Sequence, residues 1–188
     1  VSLIFLLTGV AFGQLPGLPQ ARRDALMQQT RQIGLMLYAY ATDNVQNNNA
    51  YPDGKSSTEV FQKLIDGGYC TDPAIFFTPL PGKVKPVAGQ KLKPENVCFD
   101  VTSALDADSP DGLPIVFMTG YKVNYASGAA AVPLAKSSPP AMIVVYKSNK
   151  SIVLIPAADG SIANFIPATF DPKGKTYRQL TPDGQLSQ

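Results

Sequence analysis

QARRDALMQQTRQIGLMLYAYATDN, residues 20–44, is the stretch on which the reading of the whole chain turns. Leu26, Thr30, Ile33, Leu37 and Tyr40 recur at alternating steps of four and three, which places them on one stripe of an α-helix. Arg22, Arg23, Asp24, Gln28, Gln29, Arg31 and Gln32 lie mostly off that stripe. The Asn-rich stretch 44–49 supplies a stop, because Asn favours turns and caps. An ordinary surface helix has the same signature. What sets this one apart is the segment before it.

Residues 1–13, VSLIFLLTGVAFG, are almost entirely apolar, and the first charge in the chain is Arg22. About twenty uncharged residues match the length a helix needs to cross a bilayer core. Pro16, Gly17 and Pro19 interrupt the far end, and proline removes a helical hydrogen bond and clashes with the preceding turn. The expectation is a short apolar helix, a break, and then the helix over 20–44. Val1 reads as the product of proteolytic processing or as a truncated start. Three readings compete for the segment: a signal-peptide remnant with a poor site at Ala11-Phe12-Gly13, a plain membrane anchor, or an assembly segment buried among copies of the chain. So much apolar surface aggregates unless a partner covers it, which favours the third.

Beyond the helix, Ser56, Ser57 and Thr58 precede Val60, Phe61, Leu64 and Ile65, and Gly67-Gly68 follow. That pattern predicts a short capped helix with a glycine stop. Residues 71–94, with Pro73, Pro79, Pro81 and Pro86, predict a long loop. Apolar or alternating runs at 113–119, 121–125, 142–147, 151–155 and 161–166 predict strands, with hairpin turns at 148–150 and 157–160. Residues 126–140 predict a further loop, and the polar tail 167–188 frays on its own or packs against a neighbour. The expected class is α+β: an N-terminal apolar segment and a long helix packed on a small antiparallel sheet. One sheet face meets the helix and the other meets solvent. The expected division is an assembly segment and helix at 1–50 and a globular head at 51–188.

Composition excludes several functions. The chain is 16% charged with 15 Gly and 17 Pro, which suits a loop-rich exported domain. Its net charge is +2 and its Lys and Arg are scattered, so no nucleic-acid footprint exists. The absence of histidine removes Ser-His-Asp and Cys-His nucleophile systems and His-based metal sites. No dinucleotide-binding, phosphate-loop or nucleophile-elbow motif occurs, and no enzyme is expected. Cys70 and Cys98 form an even pair in an exported chain, which predicts one disulfide; two buried free thiols are the other reading. Asp100, Asp106, Asp108 and Asp111 cluster in DVTSALDADSPDG, residues 100–112. Asp106, Asp108 and Asp111 make a partial match to a calcium loop that lacks its closing Glu; a solvated acidic turn is the bland alternative. A glycosidase pair among them finds no tryptophan platform. Tyr38, Tyr40, Tyr51, Phe76, Phe77 and Phe99 are read as core packing.

LIFLL at 3–7 resembles the start of mature type IV pilins and type II secretion pseudopilins. RQIGLMLYAYATDN at 31–44 with Tyr51-Pro52 resembles the helix end and turn of a protein G-like pseudopilin subgroup of the planctomycete and verrucomicrobial type. LIDGGYCTDP at 64–73 resembles its next segment, and IVVYKSNKSIVLIPAADGSIANF at 143–165 its closing hairpin. The resemblance implies a filament subunit that sits in the inner membrane before assembly and at the cell surface afterwards. Its partners would be other copies and the pilus or secretion machinery. Leu3, Ile4, Phe5, Leu6, Leu7, Val10 and Phe12 would then carry assembly. Calcium in major pseudopilins adds weight to the acidic loop. The family's Glu at the fifth mature position is Phe5 here, so its pairing with a neighbour's amine is missing if Val1 is the mature start. A secretion pseudopilin and an exported monomeric binding module remain the alternatives.

Overall fold

The computed structural model describes residues 19–135 and 141–186. The apolar run holding Leu3, Ile4, Phe5, Leu6, Leu7, Val10 and Phe12 lies outside them.

Helix α1 spans Gln20–Asp43. Pro19 starts it: its carbonyl accepts the amides of Arg22 at 2.9 Å and Arg23 at 3.0 Å. No side chain caps this end, its first turn has no acid, and its last turn has no base. Arg22 and Arg23 therefore sit at the positive end of the helix dipole and Asp43 at the negative end, which is the unfavourable order. Burial of Leu26, Thr30, Ile33, Gly34, Leu37 and Ala41 holds the helix instead. Buried Thr30 is satisfied by donating its hydroxyl to Leu26 O at 2.7 Å. Tyr40, expected on the buried stripe, is only partly buried and tilts against Tyr69 at 5.4 Å. Ala41, a step of four beyond Leu37, takes its place. Asn48 and Asn49 turn the chain in the left-handed region, with φ of 55° and 52°.

Helix α2, Ser57–Asp66, follows the expected signals. Ser56 Oγ accepts the Glu59 amide at 3.2 Å, and Gly68 leaves with φ of 77°. Its Phe61 stacks on Phe76 at 4.4 Å.

Strands β1 (Phe99–Thr102), β2 (Pro114–Met118), β5 (Met142–Tyr146), β6 (Ser151–Leu154), β7 (Gln179–Thr181) and β8 (Gly184–Gln185) form one sheet in the order β6-β5-β2-β1-β7-β8. Every pairing is antiparallel. Strands β3 (Tyr121–Val123) and β4 (Ala131–Pro133) form a separate ribbon. The expected runs at 113–119, 121–125, 142–147 and 151–155 thus become β2, β3, β5 and β6. The run at 161–166 does not become a strand; Ile162 makes a single bridge to Ala131. Two strands come from the tail that was expected to fray, and β4 lies in an expected loop.

The sheet is a middle layer, which corrects the expectation of a solvated face. Strands β1, β2 and β5 are buried at every position. Helix α1 lies over β2, β5 and β6, and α2 lies over β1 and β7. The register shifts between Pro114 and Val116, so Ile115 is an extra residue on β2. Gly34 sits where α1 lies tight against the sheet: a Cβ there would lie 2.9 Å from Val145 Cγ1 and 3.6 Å from Ile115 Cδ1. On the opposite face Phe117 meets Phe165 edge-on at 5.3 Å. The Tyr146 hydroxyl donates to Phe165 O at 3.0 Å, fastening the 157–170 coil over that face.

The long loop after α2 is pinned without a covalent link. Gln29 Nε2 donates to Ile75 O at 2.7 Å and Phe77 O at 2.8 Å, and the Cys98 amide donates to Phe76 O at 2.9 Å. The expected Cys70–Cys98 disulfide is corrected: both are buried free thiols. Cys70 Sγ donates to Asp72 O, while Cys98 Sγ donates to Thr78 O at 3.2 Å and accepts the Thr78 amide at 3.3 Å. Polar ties to α1 and β1 supply the restraint that a bridge would otherwise supply. Both cysteines are expected to react with a thiol reagent only after unfolding, because burial shields them and pushes both thiols up. Reductant is expected to leave the unfolding midpoint unchanged. Loss of a bridge closing about thirty residues would cost about 3–4 kcal/mol.

Among the described residues, no helix is long and apolar enough to cross a membrane.

Candidate assembly surface

Helix α1 positions the surface. Its inner stripe is consumed by the sheet, so the remaining side chains project outward as a second face. Leu35 and Tyr38, three residues apart, are 46% and 56% exposed on that face. Arg31 and Gln32 are exposed one turn earlier. The face is therefore polar toward the start of the helix and apolar toward its end.

Beside it runs an open cleft of about 490 Å³ between Gln29, Gln32 and Met36 of α1 and Tyr69, Asp72 and Phe77 of the following loop. The Tyr69 hydroxyl donates to Asp43 Oδ2 at 2.8 Å and ties that loop to the end of α1. The cleft offers amides, a carboxylate, a thioether and an aromatic ring. These groups bind; they do not form a nucleophile–base pair or a pair of carboxylates. Cys70, which also lines the cleft, keeps its proton because burial raises its thiol.

The acidic loop is committed to the fold. Asp106 pairs with Lys175 through both carboxylate oxygens and accepts the Ser109 hydroxyl at 3.1 Å. Burial opposes its ionisation, but Lys175 and Ser109 outweigh it and hold the carboxyl below its ordinary value. Asp108 Oδ2 accepts Asn48 Nδ2 at 2.7 Å. The Asp111 side chain is 83% exposed and lies 4.0 Å from Lys147 Nζ. The three candidate calcium ligands therefore point at three different partners: the tail, the α1–α2 link and the β5–β6 turn. Among the described residues, no group of three acidic or cysteine side chains is placed to hold a metal.

Asp100 is the residue the sequence reading misplaced. It was grouped with the acidic loop, yet it sits in central strand β1 with no exposure. The signal was its setting: Val97, Cys98, Phe99 and Val101 around it are apolar. Its Oδ2 accepts Gln179 Nε2 at 2.6 Å, and among the described residues its Oδ1 has no partner in good hydrogen-bonding geometry. Burial pushes the carboxyl up to about 7, against the polar pull of Gln179 and Thr119 and the charge of Lys83.

The structure thus defines a class: an α+β domain in which one long helix lies on an antiparallel sheet. Comparison with family models, curated proteins and solved structures finds no match.

Proposed function

We propose that this chain is a structural subunit of an extracellular type IV pilin-like helical filament, assembled through its apolar N-terminus and without enzymatic activity. The supporting observation is the way the apolar run 1–13 leads into α1, which lies along the sheet with Leu35 and Tyr38 facing outward. Such a chain has an apolar segment before the long helix in sequence and a folded head after it. A contact between the segment of one copy and a different surface of the next is heterologous, and a heterologous contact that does not close builds a filament. Burying the run offers tens of kcal/mol gross at about 25 cal/mol per Å2, most of it offset by ordering and desolvation. On this reading the chain resides in the inner membrane before assembly and is handled by pilus or type II secretion machinery.

The cleft beside α1 favours a second reading, an exported monomer that binds a ligand there. Negative-stain electron microscopy of native material sheared from cells separates the two. Thin uniform filaments labelled by an antibody to the head support the polymer. Dispersed particles whose N-terminus is cut after Gly13 sink it in favour of the monomer.

A further inference from the structure

We propose that Asp100 and Gln179 form a protonation-sensitive latch that holds the C-terminal strand pair β7–β8 against the sheet. Three segments meet at one amide. Gln179 Nε2 donates to Asp100 Oδ2 on β1 at 2.6 Å and to Tyr121 O on β3 at 2.7 Å. Gln179 Oε1 accepts the Val123 amide of β3 at 2.9 Å. The side chain is itself buried, so each of these bonds is made away from water. The backbone attachment of β7 is slight by comparison: Val101 pairs with Leu180 and Thr102 with Gln179, and only two-residue β8 lies beyond. Additional ties come from Thr58 Oγ1 to Pro182 O at 2.8 Å and from the Ser103 amide to Arg178 O at 2.9 Å.

A neutral Asp100 suits this site and a charged one does not. The carboxyl has no exposure, and among the described residues no cation pairs with it and Oδ1 finds no partner in good hydrogen-bonding geometry. A charge there costs desolvation that the neutral Gln179 and Thr119 side chains do not repay. The shift to about 7 follows from that geometry. The charged groups facing the site are Lys83 from the long loop, which opposes the rise, and Asp183 from the β7–β8 turn, which adds to it. Tyr121 and Tyr125 from the ribbon side stay protonated, since burial raises both. In the closed state Asp100 holds its proton up to about 7, whereas an opened, hydrated Asp100 releases it near 3.8. Opening is then coupled to proton release across that window. The latch is fully held below the lower value, weakens as pH rises through the window, and is flat above about 7. β7–β8 opens first because it is the short outer end of the sheet order.

The test is hydrogen exchange on the full chain, read at β7–β8 amides from about pH 5 to about pH 8 and corrected for intrinsic exchange chemistry. The opening constant is expected to rise by up to about tenfold per pH unit to pH 7 and then level off. Asp100→Asn, which keeps the acceptor for Gln179 and cannot ionise, is expected to show a flat profile. An unchanged profile in Asp100→Asn overturns the latch. So does an equal pH dependence at the β5–β6 amides of the wild type, which would mark global loss of stability. Should the variant not fold, the wild-type comparison of β7–β8 with β5–β6 alone decides.

Discussion

On the proposed filament role, cells carrying Leu6→Asp are expected to form no filaments, while the purified variant keeps the wild-type unfolding midpoint. Leu6 belongs to the run that assembly would bury, and it precedes α1 by more than a helical turn. A carboxylate carried into an apolar interface costs several kcal/mol of desolvation, and nothing in residues 1–13 carries a cation side chain to pair with it. The cost recurs at every subunit, so a polymer feels it many times and a monomer not at all. Among the described residues, the core of the head begins at Leu26. Ile4→Asp is expected to do the same. Electron microscopy of sheared material and thermal unfolding of the purified chain check both halves of the statement. Normal filaments from either variant would remove the apolar run from the assembly role.

The second large effect lies at Gly34. Leucine there is expected to cost about 3 kcal/mol or more in chemical denaturation, a large fraction of a typical domain's stability. The Cβ alone would stand 2.9 Å from Val145 Cγ1, closer than real contacts allow, and leucine adds three more carbons. Val145 cannot yield easily: it is a stiff β-branched residue in a strand buried on both faces. Alanine is a finer probe, because it brings two opposed terms. Replacing glycine inside a helix gains about 1 kcal/mol of propensity, and the same methyl group forces the helix off the sheet. The clash is expected to win narrowly in the wild type. In a Val145→Ala background the obstruction is gone, and Gly34→Ala is expected to stabilise. That reversal of sign in a double-mutant cycle is the signature of direct helix–sheet contact. Additive effects would mean that α1 rides on the sheet elsewhere.

Helix α1 was legible because its apolar positions repeat with the helical period, and the same is true of α2 with its serine cap and glycine stop. Strands β2, β5 and β6 were legible as short apolar runs between turn residues. Strand β1 was not, because Asp100 drew FDVT into an apparent acidic loop. Strand β7 was hidden by its composition: QLT has one apolar residue, and its glutamine is buried only because β1 and β3 supply its hydrogen bonds. The acidic loop shows the converse. Asp106, Asp108 and Asp111 are close in sequence, but Lys175, Asn48 and Lys147 draw them apart, and each partner is far away along the chain. The cysteines likewise form an even pair in sequence and are buried as free thiols.

By itself, the order of residues determined the local elements: the long helix, the capped short helix, the clearer strands and the α+β class. Periodicity, caps and turns act over a few residues, so a linear reading captures them. Only the tertiary structure decided which polar groups are buried, that the tail completes the sheet, and that both faces of the central strands are covered. Those outcomes depend on partners tens of residues away, such as Gln179 on Asp100 and Lys175 on Asp106. Whether a buried polar group is stable depends on the partner it finds, and that partner is chosen by the fold.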